Sequence, residues 1–186
     1  MAVHTAWKYN GNSKTVRTPD IHVCNGKAID PNFVVDKSGQ PWLSYGSFWD
    51  GIFLTRVDAN TLKPIGTKYR LADDAAGIEN PFIIANGSYY YLFVSKGTCC
   101  AGANSTYHIS YGRSTSITGP YVDKNGVDMR NGGGTVLDSG GARFIAPGGE
   151  SISNGAMVRH RLDSQNNYNG VLFISDLYFT NGWPTF

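Results

Sequence analysis

The chain has 186 residues, a length typical of one domain, and 41% of them are hydrophobic, which is enough for a buried core. Charged residues make up 16% and the net charge is +2, which argues against a disordered tail and against a nucleic-acid-binding protein. No apolar run reaches the ~18 residues that a membrane span needs. The N-terminal residues lack the basic start and apolar stretch of a signal peptide.

Short strands joined by tight turns are predicted for most of the chain, because aromatic and β-branched residues are interrupted by Gly, Asn and Asp. Residues 1–27 are weakly patterned and predict one strand around Ile21–Cys24. The remainder predicts three consecutive units of antiparallel strands and no helix. The predicted strands are 33–35, 41–45, 51–57 and 68–71, then 82–84, 89–95, 108–114 and 119–122, and finally 146–152, 156–160 and 171–175.

The first two units begin alike, and each contains a carboxylate. One starts with Ile29-Asp30-Pro31 and the other with Ile78-Glu79-Asn80-Pro81, and we interpret the two acids as occupying the same point of a repeat. A third, weaker copy begins at Ala146-Pro147. Repeated four-stranded units of roughly 40–50 residues or more are typical of a β-propeller, in which the innermost strands line a channel.

The two acids, Asp30 and Glu79, are therefore predicted to lie at one mouth of that channel. Paired carboxylates on a rigid scaffold are what cleavage of a glycosidic bond requires. The apolar neighbours of Glu79 and a nearby ionised Asp30 favour a protonated Glu79, as a general acid needs. The alternative is that each acid only caps a turn before a strand.

Four segments resemble glycoside hydrolase family 43, and within it the 1,5-α-L-arabinanases. They are residues 28–58, which begin AIDPNFVVD, residues 78–100, residues 105–126 and the closing LYFTNGWPTF at 177–186. The resemblance implies an all-β, five-bladed propeller of inverting enzymes. About three four-stranded blades are then expected here, at 28–75, 76–140 and 141–186, in one partial propeller domain with an atypical segment at 1–27.

The resemblance also implies catalytic roles. Glu79 corresponds to the general acid, and Asp30 to the carboxylate that acts as its pKa modulator. The general base of the family lies in a blade that would precede residue 28, and the resemblance implies that the first two blades are missing. Asp20 is a weak alternative candidate for the base.

Residues in the loops after the matching strands are candidates for substrate binding. Aromatic faces could stack on sugar rings, although packing between blades is an equal alternative for Phe48 and Trp49. Arg143 could bind sugar hydroxyls or a carboxylate. The full set of predicted substrate-binding residues is Ser47, Phe48, Trp49, Cys99, Tyr107 and Arg143.

The three cysteines, Cys24, Cys99 and Cys100, predict free thiols. Cys99 and Cys100 are adjacent, and a disulfide between neighbours is strained, so neither a staple nor a zinc site is expected. No cofactor is expected to be required. A calcium ion in the channel is an open alternative, but Gly149 stands where many arabinanases have a His that contacts it.

The predicted activity is hydrolysis of α-1,5-linked arabinan with inversion. Its alternatives are a carbohydrate-binding propeller fragment without turnover, and arabinofuranosidase or xylosidase activity. The expected partner is arabinan or an arabino-oligosaccharide, with neither nucleic acid nor membrane. A homo-oligomer is expected to complete or bury the open propeller. By family resemblance the location is secreted or periplasmic.

Overall fold

A computed structural model describes residues 6–9, 12–15 and 28–186, with only the backbone of 6–9, 12–15 and Ser47. The strands are β1 (Ala6–Tyr9), β2 (Asn12–Thr15), β3 (Ile29–Val35), β4 (Pro41–Ser47), β5 (Gly51–Val57), β6 (Pro64–Ala72), β7 (Ile78–Asn86), β8 (Tyr89–Lys96), β9 (His108–Ser114), β10 (Thr135–Asp138), β11 (Phe144–Ser153), β12 (Ala156–Asp163), β13 (Asn169–Asp176), β14 (Tyr178–Thr180) and β15 (Trp183–Thr185). In these ranges the helical segments are two short 3-10 turns, Gly102–Asn104 and Met129–Asn131, and neither could cross a membrane.

The strands form three consecutive antiparallel sheets and two hairpins. Sheet 1 has the order β3-β4-β5-β6, sheet 2 the order β7-β8-β9-β10, and sheet 3 the order β11-β12-β13. The pairs β1-β2 and β14-β15 are separate hairpins. The first two sheets have four strands each, and the third has three among the described residues, where three strands were predicted at 146–152, 156–160 and 171–175.

The fourth strand of sheet 2 differs from the prediction. Residues 119–122 form no regular strand, and Val122 makes only isolated bridges to Arg113 and Asp128. Thr135–Asp138 pairs with β9 instead. Tyr121 is fully buried, so its apolar character reflects core packing rather than a strand.

The innermost strands of the three sheets, β3, β7 and β11, are neighbours, because β3 contacts β7 and β7 contacts β11. In sheet 1 Ile29 pairs with Gly46, and in sheet 2 Ile78 pairs with Lys96. The turn after β4 and the loop after β8 therefore lie at the end where β3 and β7 begin. We call this end the mouth.

Each inner strand contains a bulge at a residue that precedes proline. Asp30, Asn80 and Ala146 have φ angles of 52°, 51° and 51°, and each is followed by Pro. The ladder slips at each of these points. A bulge re-aims the side chains beside it. Asp30 is therefore equivalent to Asn80 and not to Glu79, so the expectation that both acids occupy the same point of the repeat is wrong by one residue.

Apolar side chains fill the spaces between the sheets. One cluster joins sheets 1 and 2 and includes Ile52, Leu54 and Leu92, all fully buried. A second joins sheet 2 to sheet 3 and the β14-β15 hairpin, with Phe93 and Met157 at its centre. Burial of each such side chain stabilises the fold by about 1.5–3 kcal/mol. The inner strands that carry the acids are thus held on a rigid scaffold.

Candidate active site

Asp30 and Glu79 come together at the mouth, across the junction of sheets 1 and 2. The backbone N–H of Asn80, the residue after Glu79, donates to Oδ2 of Asp30 at 3.1 Å. Burial raises the pKa of Asp30, the charge of Glu79 raises it further, and the Asn80 hydrogen bond lowers it. Two carboxyl groups that interact in this way disfavour double ionisation. The bulges make this approach possible, since they turn Asp30 towards the next sheet.

Tyr107 binds Glu79 directly. It lies just before β9, is 5% exposed, and donates its hydroxyl to Oε1 of Glu79 at 2.6 Å. The imidazole of His160 on β12 stacks against the Tyr107 ring, with centroids 5.9 Å apart. Burial lowers the pKa of His160, with partial opposition from the charge of Glu79.

A third acid, Glu150 on β11, is enclosed behind this pair. It is 2% exposed, and its Oε2 accepts a hydrogen bond from Oγ of Ser95 at 2.7 Å. Its Oε1 has no hydrogen-bond partner among the described residues. Its backbone oxygen accepts from Nδ2 of Asn80 at 3.1 Å, which ties β11 to the strand of Glu79. Burial raises the pKa of Glu150 to about 7.

The two aromatic residues of the β4-β5 turn have different surroundings. Phe48 is wedged against the start of sheet 2, where a Cβ on Gly77 would overlap its ring. Its carbonyl accepts from the N–H of Ile78 at 3.2 Å. Trp49 packs edge-on against Phe48 but is 77% exposed. Phe48 therefore packs between the sheets, and Trp49 has a free face at the mouth.

The adjacent cysteines lie in the loop after β8, on the mouth side of sheet 2. Cys99 and Cys100 form a disulfide, so the prediction of two free thiols is wrong. Cys100 adopts a positive φ of 63° in this loop. Cys24 lies outside the described residues.

Three further predicted residues are either exposed and already paired or lie outside what the structure describes. Arg143 is exposed and forms a bidentate ion pair with Asp163, with nitrogen–oxygen distances of 2.9 and 2.8 Å. Its guanidinium is therefore already paired. The side chain of Ser47 and the whole of Asp20 lie outside what the structure describes.

Residues 3–184 match the family model of glycosyl hydrolases family 43. The chain belongs to this family. It is 49% identical over 166 residues to the extracellular endo-α-(1→5)-L-arabinanase 1 of Bacillus subtilis, a match that covers 87% of this chain and 51% of that protein. It is 39% identical over 176 residues to the extracellular exo-α-(1→5)-L-arabinofuranosidase ArbA of Cellvibrio japonicus, covering 84% of this chain and 51% of the relative.

Solved structures of family 43 agree with the sequence matches. A GH43 endo-arabinanase from Bacillus licheniformis superposes with a TM-score of 0.83 at 50% identity, over 92% of this chain and 59% of the other. The all-β fold and the family resemblance are thus confirmed, and the chain covers part of the five-bladed propeller of such relatives. It spans about half the length of the curated relatives it matches.

A metal ion needs several oxygen, nitrogen or sulfur ligands that converge on one point. The described residues contain no group of three or more His, Cys, Asp and Glu side chains that could hold a metal ion. Gly149 offers no ligand, and the Nδ1 of His160 lies beside it, where a Cβ on Gly149 would come within 2.9 Å. The part of the chain that the structure describes therefore offers no such side-chain set to a channel calcium ion.

Sequence reasoning missed two residues beside the acids, Glu150 and His160. The pattern of β11 contained a signal for the first. Alternation places Glu150 on the same face as Gly148 and Ile152, which point into the structure. A carboxylate at an inward position needs a partner or a function. No comparable signal marked His160, because its proximity to Glu79 arises only when sheets 2 and 3 pack.

Proposed function

We propose that this chain is the site-bearing part of an arabinan hydrolase, with Glu79 as general acid and Asp30 as the modulator of its protonation. The observation that carries the proposal is the hydrogen bond from the N–H next to Glu79 to the Asp30 carboxylate. It places the two acids side by side at one mouth. Relatives named as an endo-α-(1→5)-L-arabinanase and an exo-α-(1→5)-L-arabinofuranosidase, at 49% and 39% identity, support α-1,5-linked arabinan as the substrate.

The chemistry follows from the two carboxyl groups. Glu79 gives its proton to the glycosidic oxygen while the bond from that oxygen to the anomeric carbon breaks. A water molecule attacks the opposite face of the sugar and gives its proton to a general base, so that the configuration inverts. Asp30 lies beside this acid as its proposed modulator, and burial and the charge of Glu79 raise the pKa of Asp30 itself. No described carboxylate is assigned to the base, since Glu150 is enclosed behind Ser95.

Substitution of the acid tests this proposal. Glu79→Gln keeps the shape of the side chain but has no proton to give, so hydrolysis of debranched arabinan should fall by about 10²–10⁴-fold. Reducing-sugar release measures the rate. Asp58→Asn is the control, because Asp58 lies in the turn after β5, at the end of sheet 1 opposite the mouth, and accepts hydrogen bonds from Asn60 and Thr61 within that turn. Equal rates for Glu79→Gln and the parent would show that Glu79 is not the acid.

A second candidate function is carbohydrate binding without turnover. The exposed face of Trp49 favours it, because a ring that is 77% exposed at the mouth can stack on a sugar whether or not hydrolysis follows. Titration calorimetry with arabino-oligosaccharides, run beside the reducing-sugar assay, separates the two functions. Heat of binding without product supports the binding module.

The mode of attack and the sugar preference are also proposals. Relatives named endo-arabinanase and exo-arabinofuranosidase are both similar to this chain. We propose endo action, since the relative with the higher identity carries that name. Chromatography of early products distinguishes the modes, because endo action gives mixed oligosaccharides and exo action gives one short product. Assays on arabinofuranosides and xylosides test the alternative specificities.

The cellular location and the assembly complete the proposal. Relatives named as extracellular support a secreted protein. We also propose a homo-oligomer that forms through β13. This strand pairs only with β12 among the described strands, and Leu172 and Ile174 on it are 70% and 64% exposed. An unpaired strand edge with exposed aliphatic side chains favours association.

A further inference from the structure

Tyr107 was expected to contact the sugar, but its surroundings indicate a different task. The side chain is only 5% exposed, so little of its ring is available for stacking. Its hydroxyl is committed to Oε1 of Glu79 at 2.6 Å. Burial first, and then the hydrogen bond and charge of Glu79, raise the pKa of Tyr107. The phenol therefore stays protonated and acts as a donor.

The ring of Tyr107 packs against two strands of sheet 3. It lies against the backbone of β11, where a Cβ on Gly148 would overlap it. The His160 imidazole stacks on the ring at an interplanar angle of 19°. A side chain enclosed in this way can hold its partner within a narrow range of positions, as a preorganised site requires.

We propose that Tyr107 is a positioning residue for the general acid. Its O–H holds Oε1 of Glu79, so that the other oxygen, Oε2, carries the proton towards the leaving sugar. When that proton moves to the glycosidic oxygen, the electron pair of the breaking bond stays on this oxygen and Glu79 becomes a carboxylate. Tyr107 keeps its own proton, and its hydrogen bond strengthens as the negative charge develops. This inference rests on the proposed function.

Kinetics of Tyr107→Phe with two leaving groups test the role. Arabinan has a poor leaving group that needs the acid, whereas a 2,4-dinitrophenyl α-1,5-arabinobioside releases a phenolate that needs no proton. On arabinan kcat should fall by about 10- to 100-fold with KM nearly unchanged. On the aryl glycoside kcat should change by less than about threefold. Equal losses on both substrates, or a rise in KM alone, would overturn the proposal.

Tyr91→Phe is the matched control. Tyr91 is also buried, at 1% exposure, and its hydroxyl also makes one hydrogen bond, to the carbonyl of Gly182 at 2.8 Å. The variant removes a buried phenolic hydroxyl remote from Glu79. Both kcat values should match those of the parent, so a loss here would assign the effect of Tyr107→Phe to stability.

An NMR titration, which needs no turnover, tests the role of Tyr107 separately from the proposed hydrolysis. In the chain labelled with ¹³Cζ-tyrosine, the Tyr107 resonance should move with pH as Glu79 titrates. Glu150 and His160 also face Tyr107 and can move its resonance themselves, so the comparison is with Glu79→Gln, in which the movement should shrink to what those two groups contribute. A pH titration curve identical to that of the parent would overturn the inference. If the parent hydrolyses neither substrate, the proposed function fails, and this titration still decides whether Tyr107 holds Glu79.

Discussion

The enclosed carboxyl group of Glu150 makes the stability of the fold depend on pH. Its pKa of about 7 lies above the ordinary value of 4.5, because burial penalises the charged form. The unfolded chain releases this proton at a lower pH than the folded chain does. Stability from this group is therefore fully present below about pH 4.5 and is lost as the pH rises through 7.

Replacement of Glu150 should remove this pH dependence. The side chain in Glu150→Gln cannot ionise. Between pH 5 and pH 8.5 the free energy of unfolding of the parent should therefore fall by about 3 kcal/mol more than that of the variant. Urea denaturation at the two pH values measures the difference. Glu150→Asp keeps an ionisable group and should retain the fall. A Gln variant that loses stability as steeply as the parent would contradict the prediction.

The sequence indicated the two acids of the site but not their surroundings. Asp30 and Glu79 follow from local motifs, each beside a proline at the start of an inner strand. The one-residue offset between them is already present in the motifs, since Asp30 directly precedes Pro31 whereas Glu79 stands two residues before Pro81, and the matching bulges at Asp30 and Asn80 agree with it. Tyr107 was predicted as a site residue, but its contact with Glu79 depends on the path of the loop between β8 and β9. The roles given to these residues stay predictions.

Sheets 2 and 3 are joined by a buried ion cluster as well as by apolar packing. Oδ2 of Asp138 on β10 accepts from Nε of Arg159 and from Nη2 of Arg161, the latter at 2.7 Å. The side chains of Asp138 and Arg159 are 4% and 2% exposed. Burial alone would raise the pKa of Asp138, but its hydrogen bonds from Arg161, the Gly140 N–H and Arg159 lower it.

Loss of the Asp138 carboxylate should weaken the packing of sheet 2 against sheet 3. Asp138→Asn leaves two arginines without their counter-charge in a buried place, so the free energy of unfolding should fall by about 3–5 kcal/mol. Urea denaturation near neutral pH measures it. Arg70→Met, which breaks the partly exposed pair with Asp73, should cost no more than about 1 kcal/mol. Similar losses in both variants would contradict a special role for the buried cluster.

The sequence predicted correctly the strands whose positions are set by residue periodicity and by turn residues. The ranges of β4, β5, β8 and β9 agree with the prediction to within two residues. The strand predicted at 119–122 in sheet 2 was wrong because Tyr121 is buried in the core without belonging to a strand. The distant segment Thr135–Asp138 then pairs with β9 across a long connection, which local patterning does not specify. The strand predicted at Ile21–Cys24 lies outside the described residues.

The whole molecule presents two kinds of sheet surface. Sheets 1 and 2 face one another across a filled core, and sheet 2 is covered in turn by sheet 3 and the β14-β15 hairpin. Sheet 3 instead ends at β13, where the exposed side chains Leu172 and Ile174 alternate with half-buried ones. A second copy could pair with this edge and cover both aliphatic side chains at once. The same contact would protect a strand edge that otherwise promotes aggregation.

Charge on β13 should therefore abolish self-association. We expect the parent to sediment as a species larger than one chain in analytical ultracentrifugation, and Leu172→Lys with Ile174→Lys to sediment as a monomer, because two buried charges without partners oppose the contact. Val127→Lys is the matched control, since Val127 is 44% exposed but lies in a loop of sheet 2. It should leave the parent's assembly unchanged. A parent that sediments as a monomer at micromolar concentration would contradict the proposed assembly, and the hydrolysis of arabinan would then have to be a property of the single chain.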